Sequence, residues 1–143
     1  MPHRPARRAA LLASGLVLAA CMAKPEGPLP DGLAGTDWRA QTLAGEPVAD
    51  DTAVTMEFVG PDRIAGKAAC NRYNGPVRVE AGKLRIGPLL TTRMACPPPL
   101  MAAEAVFLAE LEGATRLSRD NSALLLHGAA GAPPSRFEPF TPP

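Results

Sequence analysis

VRVEAGKLRI, residues 77–86, decides the fold class. Val77 and Val79 alternate with Arg78 and Glu80, and Leu84 and Ile86 alternate with Lys83 and Arg85. A hydrophobic period of two belongs to a strand with one face in the core and one in water. The two runs are joined by Ala81-Gly82 alone, which predicts a tight β-hairpin, with Ala standing where Asn or Asp is more usual. The same alternation runs through VTMEFV at 54–59, where Val54, Met56 and Phe58 share a face opposite Thr55 and Glu57. ALLLH at 123–127 is a continuous apolar run fit for a buried strand. TDWRAQTL at 36–43, DRIAGKA at 62–68 and SRFEPF at 135–140 carry weaker strand patterns.

One segment changes period. In PPPLMAAEAVFLAELEG, residues 97–113, Leu100, Ala103, Phe107, Leu108 and Leu111 recur at helical spacing. Glu104, Glu110 and Glu112 mostly fall off that stripe. The prolines stand at the start, where a missing N–H costs little, and Gly113 stands where a left-handed residue would end the helix. Strands, one helix, then strands again predict an α+β domain. It is small and mostly β, a curved or barrel-like sheet with one amphipathic helix packed across it.

The first 20 residues read differently. Arg4, Arg7 and Arg8, with no acid, precede the apolar run AALLASGLVLAA at 9–20. That is the layout of a secretory signal peptide, and the run is shorter than the roughly 20 residues a membrane span needs. Leu18-Ala19-Ala20-Cys21 resembles a bacterial lipobox, in which the cysteine becomes the lipidated first residue of the mature chain. Two or more acyl chains hold a protein stably at a bilayer. Met22 is not the aspartate of an inner-membrane retention signal, so the expected address is the outer membrane, with the domain in the periplasm. MAKPEGPLPDGLAG at 22–35 reads as a flexible tether, and residues 36–140 as one domain. Three of the 15 basic residues lie in the leader, leaving 12 against 14 acids and a mature balance of −2. No basic stripe points to nucleic acid.

Candidate chemistry is sparse. The mature chain has a single histidine, His127, and nothing in the sequence ties it to a nucleophile. Serines 118, 122 and 135 sit outside any G-x-S-x-G. Cysteine and histidine spacings match no zinc motif, and Asp50-Asp51 lacks the alternating oxygen ligands of a calcium loop. GPDRIAGKA at 60–68 has five residues between its glycines where a phosphate loop has four, and Ala68 follows Lys67 where a hydroxyl is needed. No catalytic residue, metal or cofactor is expected. With Cys21 lipidated, Cys70 and Cys96 remain. In an exported chain the pair reads as a bridge, worth roughly 3.5 kcal/mol on the chain-entropy model. The competing reading is a redox thiol at Cys70 or Cys96, activated by Arg72 or Arg93.

G-x-x-A-C-N-R-Y-x-G at 66–75, then T-R-M-A-C-P at 92–97 and a helix, resembles the META domain family, which includes HslJ-like heat-shock lipoproteins. Trp38 with Leu43-x-Gly45, and Leu84 before Gly87-Pro88, match as well. Ala69 replaces the glycine common before the first cysteine, at a point where Ala tolerates positive φ poorly. The motif residues carried over are Asn71, Arg72, Gly75, Arg93 and Met94. The resemblance implies a compact β domain crossed by a helix, a role in envelope stress and novobiocin-type tolerance, and no catalytic residue. Asn71 is expected to make a side-chain-to-backbone bond at a turn. The expected function is a non-enzymatic envelope lipoprotein that binds a protein or a small apolar ligand. A periplasmic inhibitor or pilot lipoprotein, and a thiol enzyme, are the alternatives.

Overall fold

The computed structural model describes residues 29–143, and the predicted leader at 1–20, Cys21 and the first part of the predicted tether lie outside the described residues. Among the described residues ten strands and one helix follow in order: β1 Asp37–Leu43, β2 Glu46–Pro47, β3 Thr55–Phe58, β4 Arg63–Ala68, β5 Asn71–Glu80, β6 Lys83–Ile86, β7 Leu90–Thr91, α1 Pro98–Glu112, β8 Arg116–Asp120, β9 Ala123–His127 and β10 Ser135–Pro139. The main sheet runs β6-β5-β4-β3-β1-β10-β9-β8, with β2 paired to β1 and β7 to β5. All pairs are antiparallel. The two ends of the path nearly meet: the Leu84 N–H of β6 donates to the Thr115 carbonyl just before β8, at 2.8 Å. The predicted curved, barrel-like sheet is therefore a nearly closed barrel crossed by a single helix.

The hairpin that anchors the reading forms in the expected register, with Val77 opposite Ile86 and Val79 opposite Leu84. Ala81 and Gly82 both take positive φ, 48° and 76°, as a primed turn demands. Ala44 and Gly45 repeat the device between β1 and β2, at 48° and 86°. Gly66, on β4, is required for another reason. A Cβ there would collide with the Thr55 carbonyl and come within 3.1 Å of the Tyr73 ring.

α1 packs against β1, β4 and β6. Phe107 is fully buried, its ring 5.5 Å from that of Tyr73 and 6.1 Å from that of Phe137. Leu111 is buried beside it, and Leu100, Ala103 and Leu108 are partly buried against the same core. Pro98 and Pro99 lack N–H groups, so the uncapped first turn leaves fewer orphan donors. Gly113 ends the helix with φ −83°, in the right-handed region, so the expected left-handed glycine stop is absent there.

The predicted boundary at Thr36 lies too late. Leu29 and Leu33 are 6 % and 2 % exposed and belong to the core. The Leu33 carbonyl accepts from the Thr36 N–H, and the Gly35 N–H donates to Phe58 O. Proline and glycine make 29–35 look like linker, yet its two leucines have apolar surface to bury and the barrel offers a place for them. Leu29 and Leu33 of the expected tether therefore belong to the packed domain.

Candidate functional site

The motif cysteines are joined. Cys70 and Cys96 form a disulfide whose Cα atoms are 6.1 Å apart. Beside the bridge lies a polar network that sequence reasoning did not foresee. Glu104, only 8 % exposed, points from α1 at the start of β5. Its Oε2 accepts the Asn71 backbone N–H at 2.7 Å, and its Oε1 accepts Asn71 Nδ2 at 3.0 Å. Asn71 Oδ1 in turn accepts the Met94 N–H at 2.7 Å and the Thr92 hydroxyl at 2.9 Å. One asparagine thus ties strand, helix and the 92–96 segment together, and among the described residues no buried side-chain nitrogen or oxygen lacks a partner. Ala69, where the family favours glycine, has φ 63° and begins the turn that brings Cys70 and Asn71 into place.

Other motif residues face outward or guard close approaches. Arg72, Arg93 and Met94 are exposed. Gly75 is buried on β5, where a Cβ would sit 2.9 Å from the Pro88 carbonyl and 2.7 Å from the Leu89 side chain. Tyr73 is 2 % exposed and its hydroxyl donates to Thr55 O at 2.9 Å. Burial, and secondarily the Glu57 carboxylate, push its pKa far above the ordinary phenol value.

A serine–histidine pair exists that the sequence could not show. Ser118 Oγ lies 2.7 Å from His127 Nε2, and an Arg116 guanidinium nitrogen lies 3.1 Å from Nδ1. Guanidinium can only donate, so Nδ1 accepts, and the neutral ring carries its proton on Nε2, facing the serine. A general base needs a free lone pair there, and this tautomer does not offer one. Burial and then the Arg116 charge hold the His127 pKa below its ordinary value. Among the described residues no group of three or more His, Cys, Asp or Glu side chains could hold a metal ion.

The feature suited to binding is an apolar groove. On α1, Pro99, Ala102, Ala103 and Val106 recur at helical spacing and form a second apolar stripe, beside the one that faces the core. Across from them stand Leu43, Pro47, Val48 and Ala49 of the β1–β2 hairpin and the loop after it. The open groove has a volume of about 430 Å³, with Glu46 the one charged residue lining it. Val106 is 47 % exposed at its edge. Ser135 fixes this region, accepting the Ala44 N–H at 2.9 Å and donating to Glu110 Oε2 at 3.1 Å. The stripe was hard to read in the sequence because alanine and proline carry little hydrophobic signal.

Residues 31–139, nearly the whole described domain, match the sequence profile of the META domain. The chain belongs to the META domain family. Two solved structures share the fold of this META domain, both determined by NMR. One, from Burkholderia xenovorans, is 22 % identical with a TM-score of 0.62, covering 99 % of this chain and 100 % of its own. The other is 23 % identical with a TM-score of 0.58, covering 74 % of this chain and 90 % of its own. No curated protein matches the chain.

Proposed function

We propose that this META domain is a non-enzymatic, lipid-anchored binding protein of the bacterial outer membrane, facing the periplasm. It holds a small apolar ligand between α1 and residues 43–52 and supports envelope integrity under heat or novobiocin-type stress. The groove carries this reading. Its volume falls in the range of small-molecule sites, and its lining is apolar with one charge at hand. The leader and Cys21 pattern support the address, and the Cys70–Cys96 bridge suits an oxidising compartment. Both sulfurs are engaged in that bridge, which speaks against a resting thiol nucleophile.

An environment-sensitive apolar dye, titrated with the mature protein, tests the groove. Wild type should bind with saturation, and Ala102→Trp, which fills the groove from an exposed helix position, should weaken binding at least about tenfold with folding intact. Equal binding by both proteins would rule the groove out. A deletion strain with unaltered heat and novobiocin sensitivity would remove the stress role while leaving the binding result standing.

A further inference from the structure

No lysine, arginine or histidine occurs at 40–62 or at 94–115, and these two stretches supply every residue that lines the groove. The bases nearest by sequence and register are engaged elsewhere. Arg39 lines a neighbouring hollow with Gln41 and Asp50, and its guanidinium donates to the Asp50 carbonyl at 2.9 Å. Arg136, opposite Thr42, pairs with Asp120 and Glu138.

Acids, in contrast, are present on both walls. Glu46 lines the groove, is exposed, and takes part in none of the ion pairs among the described residues. The Asp51 carboxylate accepts the hydroxyl of Thr52, another lining residue, at 3.4 Å. On α1, Glu110 stands one turn after Val106. Its Oε2 accepts the Ser135 hydroxyl, which itself accepts the N–H of Ala44 in the hairpin wall. The charge around the groove is therefore of one sign.

A cleft bordered by one sign of charge concentrates the opposite sign within it. An anionic ligand would meet like charge at Glu46. A wholly neutral one would cover part of the Glu46 carboxylate and give it no partner, which costs solvation. A cationic group supplies that partner, and the apolar lining takes the rest of the molecule. We infer that the ligand is a small amphiphilic cation, with its apolar body against α1 and an ammonium-type group at Glu46. The inference rests on the groove being the ligand site.

Three compounds with one tail test it: octyltrimethylammonium, octanol and octyl sulfate. Each is titrated, below its micelle concentration and at low salt, against the mature protein loaded with a neutral environment-sensitive dye. Displacement should follow the order cation, alcohol, sulfate, with the cation about threefold to fivefold ahead of the alcohol. That lead should shrink as salt is raised. Glu46→Gln should erase most of it, and Glu46→Lys should put the sulfate ahead of the cation. Glu112→Gln removes the same charge at an exposed position outside the lining and should keep the order. Sulfate displacing as well as the cation, or a cation lead that survives Glu46→Gln, would overturn the inference while leaving the groove as an apolar site. A dye that binds neither protein, or binds Ala102→Trp as well as wild type, would remove the groove itself and this inference with it.

Discussion

Glu104→Gln isolates the network beside the bridge. Glu104 offers one oxygen to the Asn71 N–H at 2.7 Å and the other to Asn71 Nδ2 at 3.0 Å. Glutamine keeps one acceptor and turns the other into a donor, so one of the two N–H groups must face N–H. The site is 8 % exposed and gives water little room to compensate. A buried donor left without a partner costs about 1–3 kcal/mol, and about 2 kcal/mol is expected here. Against a net stability of about 5–15 kcal/mol that is a large loss, and it should lower Tm by about 8 °C. Urea unfolding followed by the fluorescence of Trp38, the single tryptophan, measures it with the bridge oxidised in every sample. The slope with denaturant should stay the same, since the surface exposed on unfolding is unchanged. Glu112→Gln, on the exposed side of the same helix, should stay within about 0.5 kcal/mol of wild type. Asn71→Ala combined with Glu104→Gln should cost less than the sum of the two by about 1 kcal/mol, because they share bonds. A Glu104→Gln protein as stable as wild type would refute the claim that this network fixes the 92–96 segment.

The turn at Ala81 offers a gain rather than a loss. Ala81 is exposed at φ 48°, so Ala81→Asn should relieve left-handed strain without losing packing and raise stability by about 0.5–1 kcal/mol in the same urea assay. His127 adds a pH dependence whose sign is fixed. Its folded pKa lies below its ordinary value, so the unfolded chain takes up the proton first as pH falls. Its contribution should be intact above about pH 6.5 and decline as pH drops through the folded value. His127→Gln should flatten that part of the stability profile.

Parts of this fold were legible because local chemistry determines them. The alternation at 77–86 fixes both faces of a hairpin, and a one-residue slip would expose Val77, Val79, Leu84 and Ile86 together. The helix at 98–112 was readable from its core stripe. Glu104 was misread although its position gives it away: it stands four residues after Leu100 and three before Phe107, on the buried stripe itself. A carboxyl there needs a partner, and that partner, Asn71, lies 33 residues away, beyond the reach of any local pattern. Leu29 and Leu33 were lost among prolines and glycines for the same reason, since their burial depends on the barrel beneath them. The groove arises only when α1 and the β1–β2 hairpin meet. The bridge was open to two readings because cysteine chemistry depends on where the second sulfur sits.

One measurement tests most directly the Cys70–Cys96 staple together with the proposed lipid anchor at Cys21. Protein extracted from the envelope is alkylated with and without prior reduction, and its intact mass is read. No label before reduction, two labels after it, and acyl mass on the N-terminal cysteine are expected. Labelling of the unreduced protein at neutral pH would contradict it, placing a free thiol at Cys70 or Cys96 and restoring the thiol-enzyme reading.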